Sequence, residues 1–90
     1  MATVSRTVAQ DRVATRAEVL SQRRRLAELA VRHGLARPRV DGRGTVIVHC
    51  EDPGYRLVAR YATEAARVVD AWVNVITDDV PAEEVDAEAL

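Results

Sequence analysis

The spacing of apolar residues along the chain predicts two amphipathic helices. In the first third, apolar positions recur at helical spacing and are Val13, Val19, Leu20, Leu26, Ala27, Leu29, Ala30 and Val31. Gly34 follows this pattern directly after His33, and Pro38 lies just beyond, which together indicate the end of a helix. The pattern therefore predicts a helix that begins at residue 11 or 15 and ends at residue 33.

A second apolar face of helical period lies between residues 57 and 72. Its members recur at spacings of three and four and are Leu57, Val58, Tyr61, Ala62, Ala65, Val68, Val69 and Trp72. Residues 51–54 precede this face, and Pro53 suits the first turn of a helix. We expect a second helix whose face carries Tyr61 and Trp72 as core residues.

Short β-branched runs between the helices predict strands. Residues 45–49 read TVIVH and residues 73–77 read VNVIT. The unbroken apolar middle of 45–49 indicates burial on both faces and therefore a central position in a sheet. Arg39 and Val40 open a further short strand, and residues 41–44 form a tight turn, for which Asp-Gly is an ordinary hairpin signal.

These elements predict a small α/β (α+β) domain with helices packed on a three-stranded sheet. Asp78 or Asp79 caps a last, acidic helix from Pro81 to about Ala89. The order is α-β-β-α-β-α, and the strands 45–49 and 73–77 are either parallel, with a right-handed crossover, or antiparallel. Residues 1–10 show no sustained period and are expected to be a flexible N-terminus, which leaves 11–90 as a single domain.

The composition of the chain indicates the cellular compartment in which the protein works. Every basic residue other than histidine is an arginine, a usage typical of GC-rich bacterial genomes. Cys50 is the single cysteine, which excludes an intramolecular disulfide and favours a reducing cytoplasm. No run approaches the roughly 18 apolar residues that a membrane helix needs. We expect a cytoplasmic bacterial protein that does not interact with a membrane.

Charge is divided unequally between the two halves of the chain. Residues 1–43 carry ten arginines against four acids, and residues 44–90 carry three arginines against ten acids. The basic half faces a nucleic acid or an acidic partner, or pairs with the acidic half of the same chain or of a second copy. Because the overall charge is nearly balanced, pairing within one chain is favoured.

Arginines of the first predicted helix are the best candidates for a partner-binding surface. They are Arg16, Arg23, Arg24, Arg25 and Arg32. Three consecutive helical residues fan across about 200°, so the run 23–25 cannot form one tight patch. Arg16 and Arg23 lie close to the apolar arc, and we expect their guanidinium groups to flank an interface.

Four consecutive residues at the end of the 45–49 strand have side chains that can bind a metal, namely His49, Cys50, Glu51 and Asp52. Consecutive strand residues point to opposite faces, so the four cannot converge on one ion. Cys50 could act as a nucleophile with His33 or His49, but a cysteine at the end of an apolar strand is more typical of a small buried residue. We therefore expect neither a metal site nor a catalytic cysteine here.

Two stretches of the chain carry a family resemblance. Residues 26–40 read LAELAVRHGLARPRV, a helix ending in R-H-G and a strand P-R-V, and residues 73–79 read VNVITDD. Both resemble the minimal nucleotidyltransferase domains that accompany helical toxins in prokaryotic toxin–antitoxin pairs, whose last core strand is commonly V-D-V-V-T. The likeness covers residues 20–86, and it implies an α/β fold and a protein partner.

The same comparison shows where the chain departs from that family. There, P-R-V runs into G-S-x-x-x-G and then a D-x-D, which hold a triphosphate and magnesium through backbone N–H groups and carboxylates. Here a shorter turn follows, and the corresponding positions hold Gly42, Arg43, Gly44, Thr45 and, in place of the third acid, Asn74. The turn is either a remnant phosphate loop or an ordinary hairpin. The resemblance therefore implies a degenerate member that keeps the scaffold and has no cofactor or metal.

The sequence thus predicts a non-catalytic, antitoxin-like protein-interaction module on a nucleotidyltransferase-like scaffold, which binds a protein partner or a second copy. One alternative is a nucleotidyltransferase whose metal ligands come from a partner or from the chain's own Asp41, Asp52, Asp78 or Asp79. Another is an arginine-rich nucleic-acid-binding domain. It is less supported, because neither a two-helix DNA-binding motif nor an aromatic stacking platform is evident.

Overall fold

Helices and a mixed sheet form the part of the chain that the computed structural model describes, residues 12–51, 55–78 and 87–90. The helices are α1 (Arg16–Ser21), α2 (Arg23–Arg32) and α3 (Tyr55–Val69), and the strands are β1 (Ala36–Val40), β2 (Val46–His49), β3 (Val75–Thr77) and β4 (Glu88–Ala89). None of these helices is long and apolar enough to cross a membrane. The predicted flexible segment 1–10 lies outside the described residues.

The strand order in the sheet is β3-β2-β1-β4. The hairpin partners β1 and β2 are antiparallel, β2 and β3 are parallel, and β4 is antiparallel to β1. Val46, Ile47 and Val48 of β2 are fully buried, so the predicted central position of this strand is confirmed. The parallel pairing across α3 decides between the two arrangements that the sequence left open.

The α+β class is confirmed, but the prediction of three strands in the order α-β-β-α-β-α is wrong at the end of the chain. Glu88 and Ala89, placed in a helix by the sequence pattern, form β4 and pair with Val40 and Arg39. The Leu90 amide also donates to the carbonyl of Pro38 at 2.9 Å. An open sheet edge offers unpaired backbone groups, and these outweigh a weak local preference. Residues 81–86 of the predicted helix lie outside the described part.

The first predicted helix is two helices, because the chain breaks at Gln22. Thr15 begins α1 with a capping box: its hydroxyl accepts from the Glu18 amide at 3.2 Å, and the Glu18 carboxylate accepts from the Thr15 amide at 2.9 Å. Gln22 closes α1 and precedes α2 without capping it through its side chain. Neither glycine nor proline marks this break in the sequence.

The C-terminal stop predicted at Gly34 is confirmed. Gly34 has φ +76°, and its amide donates to the Val31 carbonyl at 3.0 Å. The Leu35 amide donates to the Ala30 carbonyl at 2.8 Å, and these two bonds form the Schellman motif that ends many helices. Because Leu35 is itself buried, the chain enters β1 from a fixed position.

One core joins the helices to the sheet. Its fully buried members include Val19, Leu26, Val40, Val46, Val48, Tyr61 and Ala65. Tyr61 fills the centre as predicted, and its hydroxyl donates to the Leu26 carbonyl at 3.1 Å. The prediction that Trp72 belongs to the same helical core is wrong: α3 ends at Val69, Asp70 turns the chain with φ +63°, and Trp72 is 46% exposed.

Candidate partner-binding surface

The five arginines predicted to bind a partner divide into two groups. Arg16 and Arg23 turn towards β4 of the same chain. The other three are exposed on α2 and are Arg24, Arg25 and Arg32. The sequence pattern identified the five residues together, whereas the fold separates them by what they contact.

Arg16 and Arg23 form a clamp on β4. The Arg16 Nη2 atom donates to Glu88 Oε1 at 2.7 Å, and Arg23 Nη1 lies 3.4 Å from Glu88 Oε2. Arg23 also donates through Nη2 to the Ala89 carbonyl. We expected these guanidinium groups to flank an interface, and β4 of the same chain occupies that place. We call Arg16 and Arg23 the β4 clamp.

The remaining arginines share the exposed side of α2 with an apolar side chain, Val31. Val31 is 75% exposed, and Arg24 and Arg25 precede Val31 and Arg32 by about two helical turns on the same side of α2. Among the described residues, Arg24, Arg25 and Arg32 make no ion pair. We call Arg24, Arg25, Val31 and Arg32 the outer arginine surface; exposed Glu28 lies within the same arc.

The turn at residues 41–44 is an ordinary hairpin. One carboxylate oxygen of Asp41 accepts from the amides of Arg43 and Thr45 at 2.8 and 2.9 Å, and the Asp41 carbonyl accepts from the Gly44 amide at 3.2 Å. The amides of Arg43, Gly44 and Thr45 are thus bonded inside the turn. Of the two interpretations left open for Gly42–Gly44, the hairpin is confirmed.

The positions that replace the metal-binding acids of the resembled family lie close together. The Val46 amide donates to the Asn74 carbonyl at 2.8 Å, and Val46 pairs with Val75, so Thr45 and Asn74 enter neighbouring parallel strands side by side. No group of three His, Cys, Asp or Glu residues in the described ranges could hold a metal ion there or elsewhere. The arrangement offers an amide and a hydroxyl where magnesium sites use carboxylates.

Two of the acids considered as replacement ligands are engaged elsewhere. The Asp41 carboxylate is bonded to its own turn. Asp78 follows β3, four residues beyond Asn74, and extended residues rise about 3.3 Å each. That places Asp78 at the opposite end of the parallel strands, whereas Asp52 and Asp79 lie outside the described residues.

Asp78 instead joins three strands in a cluster that the sequence pattern did not predict. His49 Nδ1 lies 3.1 Å from Asp78 Oδ1, while Arg37 and Arg39 each donate through Nη2 to Oδ2 at 3.0 and 3.2 Å. Burial to 13% exposure raises the pKa of Asp78, but the His49 hydrogen bond and the charges of His49, Arg37 and Arg39 prevail and lower it. Asp78 is therefore held as a carboxylate.

A bulge in β1 positions the two arginines of this cluster. The register with β2 shifts between Ala36 and Arg39, and Arg37 adopts φ +49° within the shift. Arg37 and Arg39 are alternate residues of β1, whereas His49 ends β2 and Asp78 follows the adjacent parallel strand β3, so the position of each residue on its strand was visible in the sequence. To predict that these side chains meet, one also needs the parallel pairing of β2 with β3, which the sequence left open.

The other residues considered for chemistry lie around this end of the sheet. His49 Nε2 is 3.5 Å from Glu51 Oε2, and Cys50 is half-buried against the core, in keeping with its position after an apolar strand. His33 lies elsewhere, on the Tyr61 ring at a centroid distance of 6.3 Å. Cys50 and His33 thus belong to different parts of the described structure.

The basic and acidic halves of the chain pair with each other. Among the described residues, arginines of the first half bind acids of the second half in the pairs Arg16–Glu88, Arg23–Glu88, Arg37–Asp78 and Arg39–Asp78. The favoured expectation, pairing within one chain, is confirmed for these residues. The three arginines of the outer arginine surface are left with their charge facing solvent.

Comparisons with known proteins do not assign the chain to a family. No family model matches it, and neither a curated protein nor a solved structure shows a significant match.

Proposed function

We propose that this chain is a non-catalytic protein-interaction module that binds an acidic surface of a protein partner through its outer arginine surface. The observation that carries the proposal is the arrangement on α2, where Arg24, Arg25 and Arg32 share one exposed side with a 75%-exposed valine and make no ion pair with a described residue. Exposed apolar area next to arginine side chains is a composition that protein interfaces favour.

Arginine suits this role for a physical reason. A guanidinium group presents donors in a planar fork that matches a carboxylate, and it is more weakly hydrated than an ammonium group. Val31 contributes apolar area that is removed from water when the surface is covered. A partner that supplies two or three carboxylates around a small apolar residue would satisfy both features at once.

The sequence resemblance supports the same proposal. The resembled domains act beside a helical toxin, which makes a protein partner the expectation for this chain. The positions that would bind magnesium in that family hold Thr45 and Asn74 here, and their neutral side chains offer no counter-charge to a metal ion. We therefore assign the chain an antitoxin-like binding role and no nucleotide chemistry.

A matched pair of variants tests the binding surface. Arg24→Ser/Arg25→Ser/Arg32→Ser removes three charges from α2, and Arg56→Ser/Arg60→Ser/Arg67→Ser removes three exposed charges from α3. Each tagged chain is expressed in the native host, and the intact complex is weighed by native mass spectrometry. At about 0.5–1 kcal/mol per arginine, the α2 variant should bind the partner roughly tenfold to a hundredfold more weakly.

The control variant should retain the partner at the wild-type level. Equal retention by both variants, or recovery of wild-type chain only as a monomer, would contradict the assignment of the outer arginine surface. If the captured partner is a nucleic acid, its release with added salt will be steep and nuclease treatment will remove it. That outcome would replace the protein partner with the nucleic-acid alternative.

The non-catalytic part of the proposal has a separate test. Calorimetric titration of the chain with ATP and MgCl₂ should show no saturable heat, because the amides of Arg43, Gly44 and Thr45 are already bonded and the described residues offer no metal cluster. Saturable binding with a dissociation constant on the order of micromolar would overturn this part and favour the altered nucleotidyltransferase.

A further inference from the structure

We infer that β4 is exchangeable: in a dimer of this chain, residues 87–90 of each copy occupy the β1 edge and the β4 clamp of the other copy. The acceptor is a built site for a short acidic strand. It provides an edge strand for backbone pairing and, from α1 and α2, the guanidinium groups of Arg16 and Arg23. Addition of a peptide strand to an exposed sheet edge is a recurring mode of recognition.

The recognition elements lie within the last residues of the sequence shown. Glu88 supplies a carboxylate to both guanidinium groups, Ala89 supplies a carbonyl to Arg23, and the Leu90 amide bonds to Pro38 while its side chain packs on the core. All of these contacts are made by the segment itself. A copy of the same segment on another chain would make them identically.

The ion pairs that hold β4 face solvent. The strand is two residues long, and the side chains of Arg16 and Glu88 are 36% and 45% exposed. Exposed ion pairs contribute little individually because water competes for both partners. Detachment of β4 breaks these ion pairs, removes Leu90 from the core and exposes an acceptor that only a complementary strand completes.

Charge complementarity makes a second copy the occupant. Each chain carries both halves of the site, the basic clamp and the acidic strand, so two copies can complete each other twice around a two-fold axis. Docking within one chain competes at an effective concentration on the order of millimolar for a short connection. The wild-type dimer should accordingly become populated only as the protein concentration approaches that range.

This inference does not depend on the proposed partner surface. The β4 clamp uses Arg16 and Arg23, whereas the outer arginine surface uses Arg24, Arg25 and Arg32. Either can fail without affecting the other.

Reversed charges convert the competition into a decisive experiment. One chain carries Glu88→Arg, which reverses the strand, and the other carries Arg16→Glu/Arg23→Glu, which reverses the clamp. In each of these two chains, residue 88 has the same sign of charge as residues 16 and 23. The strand is therefore repelled by the clamp of its own chain and by the clamp of an identical copy. In a mixture, the reversed strand fits the reversed clamp and the native strand fits the native clamp, so both sites match only in the heterodimer.

The two chains are co-expressed, so that a chain which folds only in the dimer is still recovered, and native mass spectrometry reads the assembly. We expect a 1:1 heterodimer near twice the 9.9 kDa chain mass at a concentration at which the wild-type chain is a monomer, with at least tenfold less dimer for either chain alone. The matched control carries all three substitutions on one chain and should remain a monomer like the wild type, since its β4 again fits its own clamp.

Recovery of only monomers from the mixture, together with a folded triple variant, would overturn the inference and restrict β4 to docking within its own chain. A dimer formed equally well by either reversed chain alone would also overturn it, because that dimer would not use the β4 clamp.

Discussion

Gly44 lies where the β1–β2 hairpin meets the start of α1, and replacing it with alanine should destabilise the protein strongly. Its φ is +93°, a region that side chains other than glycine's rarely adopt. A Cβ atom there would lie 2.9 Å from the Arg16 nitrogen, 3.1 Å from the Thr15 carbonyl carbon and 3.2 Å from the Ala14 carbonyl oxygen. All three are backbone atoms, so no change of rotamer relieves the contact.

The cost of Gly44→Ala has two parts. A left-handed φ costs an alanine about 1–2 kcal/mol. Forcing an extra carbon into a filled space costs about 1–3 kcal/mol more. The sum, about 2–5 kcal/mol, is a large share of the 5–13 kcal/mol expected, roughly, for a domain of this size. We expect the melting temperature to fall by about 10–25 °C.

Alanine substitutions at two other glycines measure the backbone cost separately from the steric cost. Gly34 has φ +76° with nothing within 4 Å of its Cβ position, so Gly34→Ala should cost only the backbone part, about 1–2 kcal/mol. Gly42 lies outside the left-handed region and also has open space, so Gly42→Ala should change stability by less than about 0.5 kcal/mol.

Urea denaturation followed by circular dichroism at equilibrium measures all three variants. The expected order of destabilisation is Gly44, then Gly34, then Gly42, with an unchanged denaturant slope. If Gly44→Ala loses no more stability than Gly34→Ala, the close approach of the hairpin to α1 is wrong. The position of Arg16 in the β4 clamp would then need revision as well, because the Arg16 nitrogen is the nearest of the three atoms around the Gly44 Cβ position.

Two further predictions concern pH. The Asp78 carboxylate contributes stability that is fully present above the unfolded-state aspartate pKa of about 3.9 and is lost as pH falls through its lower folded-state pKa. In Asp78→Asn, the urea midpoint should therefore fall less steeply as the pH is lowered than it does in the wild type. An equally steep fall in both chains would argue against the cluster. Burial raises the pKa of Tyr61 to about 12, so the stability from its neutral form is present below about pH 10 and lost as pH rises through about 12. In a Tyr55→Phe chain, absorbance should show Tyr61 ionising near pH 12 together with unfolding, and ionisation near pH 10 in a folded chain would refute its burial.

The parts of the fold that could be predicted are those coded by neighbouring residues. A run of three buried apolar residues identifies β2 as central, Asp41 with Gly42 identifies the hairpin, and Gly34 identifies the end of α2. In each case the determining interaction spans at most five residues. Local signals of this kind need no knowledge of the partner strand.

The parts that could not be predicted depend on distant residues. Residues 88 and 89 read as the end of an acidic helix, and only the open edge of β1, nearly fifty residues earlier, makes them a strand. Trp72 continues the apolar spacing of α3, but Asp70 ends the helix with a backbone conformation that Asp tolerates better than most residues. Apolar spacing records which side chains could be buried and not where the helix stops.

Two kinds of information, the local helical spacing and a contact with a distant strand, decide which arginines of α2 bind within the chain and which face outwards. Each helical residue advances about 100° around the axis, and Leu26 marks the buried direction. Arg23 lies about 60° from Leu26 around the helix and Arg24 about 160° in the same sense. Arg25 lies about 100° from Leu26 in the opposite sense. Arg23 therefore flanks the buried stripe, where it pairs with Glu88, and the other two face outwards and make no ion pair with a described residue. The sequence thus determines which arginine borders the core. That this border is filled by Glu88 depends on β4, which is why the same run of arginines holds one strand of its own chain and leaves a surface for a partner.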